Sequence, residues 1–247
     1  MKKNYKWQFV FGVTLIFASA FMYYIHYVLF HDAHHIFIYL LGDIAFVPFE
    51  VLLVTLILHK VLEVREKRLM LRKMNMVIGA FFSEIGNRLI IETSCTAANI
   101  DSISSELIVK PSWSNIHYKI LLKRLKQFSY VIETNAKQLE ALKTMLVEKR
   151  SFLLGLLENS NLLEHEHFTD LLWAVFHFTE ELELRKNLKN MPQQDHDHIN
   201  NDLKRVFTLL LEQWVMYLQH LQQEYPYLFS LAIRTNPFDI NAKVEIL

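Results

Sequence analysis

The sequence has little glycine, proline or cysteine, and each scarcity excludes a class of protein. Five glycines and five prolines in 247 residues leave few of the turns that a β-sheet protein needs. The single cysteine, Cys95, excludes an intrachain disulfide framework, so folding does not depend on an oxidising compartment. The sequence therefore predicts an all-α protein.

Charge is balanced overall but absent from a long N-terminal stretch. The chain has 26 Lys and Arg residues against 26 Asp and Glu residues, a balance that predicts no nucleic-acid partner. No Lys or Arg lies between Lys6 and Lys60. Residues 8–30 and 36–59 each approach the ~20 apolar residues that cross a bilayer as a helix. We expect a transmembrane helical hairpin over residues 1–64, with a signal peptide cleaved near Ala20 as the alternative for its first segment.

The basic residues around the hairpin predict its orientation. They precede the first span and follow the second, whereas the link at residues 31–35 contains none. Since cytoplasmic flanks are enriched in Lys and Arg, both termini are expected in the cytoplasm. The predicted location is a bacterial inner membrane, crossed twice.

Two carboxylates, Asp43 and Glu50, interrupt the second span. They are seven residues apart, about two helical turns, and so share one face of the helix. A carboxylate in lipid costs roughly 2.5 to 3.5 kcal/mol on insertion scales, so this face should meet another helix or water. One interpretation is a proton or cation relay in an oligomer, aided by Pro48. The other is a packing role for Glu50, protonated in an apolar environment.

Three histidines, His31, His34 and His35, lie in the link between the spans. Separations of three and four residues bring imidazoles together on a helical turn, where they could bind a divalent metal or sense pH. An ordinary polar turn is the alternative interpretation.

Amphipathic segments follow the hairpin. Residues 65–110 predict a stalk helix of coiled-coil type and a connector, in which Gly79 and Gly86 would permit close approach of another helix. Residues 111–234 predict an antiparallel helical bundle, because apolar residues recur at helical spacing. The chain from Tyr225 onward is rich in aromatic residues and ends in a C-terminal tail at residues 235–247, and this terminal segment is expected either to pack on the bundle or to dock a partner. The stripes are Ile116, Ile120, Leu125, Phe128 and Ile132; Leu139, Leu142, Leu146, Leu153 and Leu156; Phe168, Leu171, Val175, Phe178 and Leu182; and Leu203, Phe207, Leu210, Trp214, Tyr217 and Leu221.

Part of the bundle also resembles a metal site. Glu164 and His167 have the E-x-x-H spacing of di-iron bundles, and His177 and Glu181 have an H-x-x-x-E spacing of hemerythrin-like type. Both motifs are incomplete: there is one E-x-x-H rather than two, and "DHDH" at residues 195–198 is not the H-x-x-x-H that a hemerythrin-like site needs. Its two aspartates suit a helix start. A single ion would need a further ligand from another helix, for which His220 is the candidate. The sequence therefore favours no cofactor, with a divalent metal as the alternative.

The stretches "FTDLLWAVFHFTEEL" and "YPYLFSLAIRTNPFD", with the two-span start, resemble uncharacterised bacterial membrane proteins that carry a cytoplasmic helical domain. The resemblance implies this architecture and no activity. No catalytic constellation is present, so an enzyme is not favoured. The expected function is a membrane-anchored helical interaction or signalling module, which contacts the bilayer and a second copy or protein partner through its cytoplasmic helices. An oligomeric cation conduit comes second and a metal-binding helical-bundle enzyme third.

Overall fold

The computed structural model of the chain describes residues 5–159, 162 and 165–245. Helices account for most of these residues, and the β-structure among them is one antiparallel bridge between Ala97 and Ile132. The all-α prediction is confirmed. The chain divides into two compact units, an N-terminal unit (Met1–Glu66) and a C-terminal unit (Lys67–Leu247).

The N-terminal unit contains α1 (Tyr5–Phe30) and the first part of α2 (Ala33–Phe81). Between the two helices His31 adopts a left-handed backbone conformation, with φ of 50°. The Asp32 carboxylate caps α2 by accepting a hydrogen bond from the backbone N–H of His35 at 3.1 Å. A short turn therefore joins the helices, and α2 begins three residues earlier than the apolar pattern indicated.

Two stretches of these helices, Lys6–Phe30 and Ala33–Lys67, are long and apolar enough to cross a membrane. Their apolar side chains are exposed, as at Phe17 (72%) and Leu56 (62%). Apolar surface of this extent is rare on monomeric soluble proteins and marks contact with lipid or with another protein.

The C-terminal unit begins within α2 and continues through a π-helical turn at Phe82–Gly86. A 3₁₀ turn, Ser105–Leu107, lies between the fourth and fifth helices. The remaining helices are α3 (Asn87–Ser94), α4 (Asp101–Ser104), α5 (Asn115–Gln127), α6 (Ala136–Glu148), α7 (Arg150–Leu157), α8 (Glu166–Leu184), α9 (Gln193–Glu224) and α10 (Pro226–Arg234).

The long helix α9 lies at the centre of this unit, in contact with α3, α5, α8 and α10. Its apolar stripe is buried along most of its length, including Leu203, Phe207 and Leu210. The stripe of α8 is buried as well, with Phe168 and Phe178 fully inaccessible to solvent. Side chains that recur every three or four residues thus face one shared core.

Two of the predicted helices are shorter than their stripes indicated. Helix α5 ends at Gln127, because the chain beyond it is extended and its backbone pairs with the segment after α3. The N–H of Ala98 donates to Val131 at 2.9 Å in that pairing. The stripe from residue 139 to residue 156 is divided between α6 and α7, since Lys149 leaves the helical range with ψ of 6°.

The first residues after α10 pack against the helices of the C-terminal unit. Asn236 is buried, and its side-chain amide donates a hydrogen bond to the carbonyl of Leu107 at 3.0 Å. The Phe238 ring lies 5.6 Å from the Trp214 ring, edge to face. The beginning of the C-terminal tail is therefore part of the core.

Candidate metal centre

Two His–carboxylate pairs lie opposite each other on α8 and α9. His177 and Glu181 are four residues apart on α8, and His198 and Asp202 are four residues apart on α9, so each pair shares one helix face. The helices run antiparallel, which sets His177 against Asp202 and Glu181 against His198. The face between α8 and α9 thus collects two imidazoles and two carboxylates.

The distances within this cluster are those of a nearly formed coordination sphere. The Nε2 atom of His198 lies 3.3 Å from Asp202 Oδ2 and 3.7 Å from Glu181 Oε2. The Nε2 atom of His177 lies 3.6 Å from Asp202 Oδ2 and 4.0 Å from Glu181 Oε1. Two ligands that each lie ~2.1 Å from one ion are roughly 3.0 to 3.4 Å apart. Glu181, His198 and Asp202 offer ligand atoms that all lie within 4.8 Å of one another, so small side-chain shifts would close these three around one ion. His177, 3.6 Å from Asp202, is a fourth group beside them.

Asp202 contributes an oxygen without a hydrogen-bond donor. Its Oδ2 atom is buried and makes no hydrogen bond to any described residue, although two imidazoles face it. Burial of a carboxylate oxygen is costly unless a donor or a cation compensates for the lost water, and the two imidazoles beside this one pair with it only when they are protonated. A cation placed between Asp202 and the two imidazoles would satisfy it.

Arg185 holds the second carboxylate in place. Its guanidinium donates to the Glu181 carboxylate and, at 2.6 and 3.1 Å, to both oxygens of Asp195 in the first turn of α9. The hydrogen bonds from Arg185 lower the pKa of Glu181 and that of Asp195, so both carboxyls are ionised at neutral pH. Such hydrogen bonds to a ligating carboxylate orient it toward the metal.

The donor set and its charge suit a divalent cation. Imidazole nitrogens with carboxylate oxygens are typical ligands of Zn²⁺, Mn²⁺, Fe²⁺ and Co²⁺. With neutral imidazoles, the three carboxylates of Glu181, Asp195 and Asp202 and the guanidinium of Arg185 leave two negative charges. The arrangement can bind a metal ion, with the two helices each supplying one nitrogen and one oxygen.

Of the other predicted bundle ligands, His167 and His220 do not belong to this cluster. Glu164 lies outside the described residues, and His167 is exposed on the first turn of α8. His220, expected as the ligand from a second helix, instead shares a 3.1 Å hydrogen bond between its Nδ1 atom and the Asn75 side chain. Burial lowers the pKa of His220. Helix α9 does face the cluster, but the side chains that it contributes are His198 and Asp202.

The hairpin histidines do not gather as their spacing predicted. The His35 ring stacks against the ring of His26 at 5.8 Å, whereas His31 lies near Tyr27. Among the described residues the metal-type cluster of three or more ligands is the one on α8 and α9, and His31, His34 and His35 form none.

Asp43 and Glu50 lie on α2, both exposed. Neither makes a hydrogen bond or ion pair with a residue of the described ranges. The proposal that they form an ion pathway in an oligomer stays a prediction.

Sequence reasoning missed His198 and Asp202, although a signal for them was present. A hemerythrin-like site needs a second histidine four residues from the first, and "DHDH" at residues 195–198 does not supply it. The useful pattern was a His followed four residues later by a carboxylate, on each of two consecutive helices. Antiparallel packing brings such pairs together, because they lie at similar distances from the connection between α8 and α9.

Comparisons with known proteins cover both units. A family model described as the C-terminal helical domain of uncharacterized protein MJ1433 matches residues 70–234, and the model of its N-terminal helical domain matches residues 2–62. Uncharacterized protein MJ1433 of the archaeon Methanocaldococcus jannaschii is 42% identical over 234 residues, which are 95% of this chain and 94% of the relative. No solved structure matches the chain.

Proposed function

The chain belongs to the MJ1433 family, and we propose that it is a membrane-anchored helical protein whose C-terminal unit binds one divalent transition-metal ion. The ligands are His177, Glu181, His198 and Asp202, and Arg185 positions one of them. The observation that carries this proposal is the buried Oδ2 atom of Asp202, which has no hydrogen-bond donor and lies 3.3 and 3.6 Å from imidazoles of two helices.

The geometry of the C-terminal unit favours metal binding over the interaction module and the cation conduit that the sequence favoured. The sequence favours an interaction module because it contains no complete site. The two His–carboxylate pairs that α8 and α9 bring together support a metal site instead. The membrane anchor is supported by two exposed apolar helices and by basic residues that flank them on one side only. On this proposal the C-terminal unit, with its cation site, lies on the cytoplasmic side of the membrane.

Metal titration of the purified full-length chain tests the proposal. After removal of metal with a chelator, Co²⁺ or Zn²⁺ is expected to bind with a stoichiometry of one. A metal concentration near one hundred times the Kd should stabilise the fold by about 2.7 kcal/mol and raise Tm by roughly 5 to 10 °C.

Three variants identify the ligands. His198→Ala and Asp202→Asn are each expected to weaken metal binding at least ~10-fold, since each removes a ligand atom or its charge. His167→Ala is the matched control, because it removes an exposed histidine from α8 outside the cluster. Absence of stoichiometric binding, or an equal loss of affinity in the His167→Ala variant, would refute the site.

A further inference from the structure

A small cavity opens directly beside the metal ligands. His177 and Asp202 belong to its wall, together with Trp173, Ala174 and Arg205, and its volume is about 180 Å³. This is room for several water molecules, and therefore for an anion with three or four oxygens. Whatever occupies the cavity lies next to two of the four proposed ligands.

Arg205 is a cation without a protein partner at this cavity. Its side chain is exposed, and it makes no hydrogen bond or ion pair within the described part of the chain. It lies one helical turn beyond Asp202 on α9, and it also borders a wider cleft of about 400 Å³. That cleft contains Lys204 and one acid, Asp170. Arg205 thus lines both the cavity and the wider cleft, and a ligand in either one could contact it.

Trp173 supplies an apolar wall on the α8 side of the same cavity. Its side chain is 56% exposed, although an indole is usually buried in a helical core. A flat aromatic face beside an unpaired guanidinium is a frequent combination in binding sites for anions with an organic part.

We propose that the metal and Arg205 together bind an oxyanion, a phosphate or carboxylate group, in the cavity lined by Trp173, His177 and Asp202. This inference rests on the proposed metal site and adds the class of ligand that the site takes. One oxygen of the anion completes the coordination of the metal, which four protein ligand atoms leave open in a six-coordinate ion. The remaining oxygens accept hydrogen bonds from the guanidinium, whose planar fork matches both kinds of oxyanion.

Arg205 also opposes metal binding in the absence of the anion. Its positive charge lies near the cation, whereas an anion between them would be attracted to both. Anion and metal are therefore expected to bind cooperatively, and each should raise the affinity of the protein for the other by the same factor.

The test uses the full-length protein loaded with one equivalent of Co²⁺, freed of unbound metal. Inorganic phosphate and acetate are the two probes, and the visible absorption of bound Co²⁺ reports an oxygen ligand that enters the coordination sphere. We expect at least one probe to change this spectrum saturably and to change Trp173 fluorescence, and the tighter probe identifies the oxyanion class. The Trp173→Phe variant should lose the fluorescence change and keep the spectral change.

Arg205→Gln separates the anion site from the metal site. The variant should bind the tighter probe at least ~10-fold more weakly while its affinity for Co²⁺ stays equal or increases. Lys204→Gln is the matched control, because Lys204 lines the wider cleft and does not line the cavity beside the metal ligands. This variant should bind the probe as the wild type does.

Different results contradict the two proposals. If Co²⁺ binds and neither anion changes its spectrum, or if Arg205→Gln binds the probe like the wild type, the oxyanion site is refuted and the metal site stands. If Co²⁺ itself does not bind, the proposed function fails.

Discussion

Glu212 is a carboxyl that the structure places in an unfavourable environment. It lies on α9 and is only 8% exposed. Burial raises its pKa, and the charges of Lys126 and His167 lower it to a smaller extent. Its negative charge also contributes to the raised pKa of Tyr130, which results mainly from burial. The ionised form of Glu212 therefore costs stability at neutral pH.

Glu212→Gln is expected to stabilise the protein in a pH-dependent way. The pKa of Glu212 is higher in the folded chain than in the unfolded chain, so its contribution to stability is full below the unfolded pKa. That contribution is lost as the pH rises through the folded pKa. Thermal unfolding should show a Tm about 2 to 4 °C higher than the wild type at pH 7.5, and a smaller difference toward pH 4. The exposed Glu140→Gln variant should show no comparable trend, and a Glu212→Gln variant that is less stable at pH 7.5 would contradict the assignment.

At the scale of elements, the π-helical turn at Phe82–Gly86 depends on a glycine for steric reasons. A Cβ atom on Gly86 would lie 2.6 Å from the ring of Phe82 and 2.9 Å from that of Phe81, and both rings are buried. Gly155 on α7 is the opposite case, because a Cβ atom there would meet nothing within 4 Å. The two helical glycines thus differ only in their surroundings.

Alanine at these two positions should change stability in opposite directions. Gly86→Ala forces two buried aromatic rings to move and is expected to lower the free energy of unfolding by about 1 to 3 kcal/mol. Gly155→Ala should raise it by roughly 0.5 to 1 kcal/mol, since Ala is the better helix former. Denaturant unfolding monitored by circular dichroism measures both. Equal effects of the two substitutions would show that the Phe81 and Phe82 rings yield without cost.

Helical periodicity predicted the long elements well and the joints poorly. The stripes of α8 and α9 are regular over four or more turns, so burial alone determines which face packs inward. The ends of α5 and the break at Lys149 depend on contacts with distant segments, such as the bridge between Ala97 and Ile132, that no local pattern contains. Half of the proposed metal site could be predicted for the same reason. His177 and Glu181 are close in sequence, whereas His198 and Asp202 come near them only when α8 and α9 pack together.

For the whole molecule, the question of greatest consequence is the side of the membrane on which each unit lies. Basic residues flank the predicted spans and are absent from their link, which predicts that the turn near Ala33 faces outward and that the C-terminal unit lies in the cytoplasm. Oligomer formation stays a prediction for the same molecule. A cytoplasmic location would give the His–carboxylate site access to the reduced metal ions of the cell.

The chain carries its own control for a labelling test of this topology. Cys95 is exposed in the C-terminal unit and is the single cysteine, so a membrane-impermeant maleimide should label the wild type only after permeabilisation of the cells. The double variant Ala33→Cys, Cys95→Ser has its thiol at the exposed start of α2 and should be labelled in intact cells. The opposite pattern would invert the topology. If both proteins were labelled in soluble extracts and neither occurred in the membrane fraction, the proposed membrane anchor would be refuted. Contacts with another protein would then explain the exposed apolar helices.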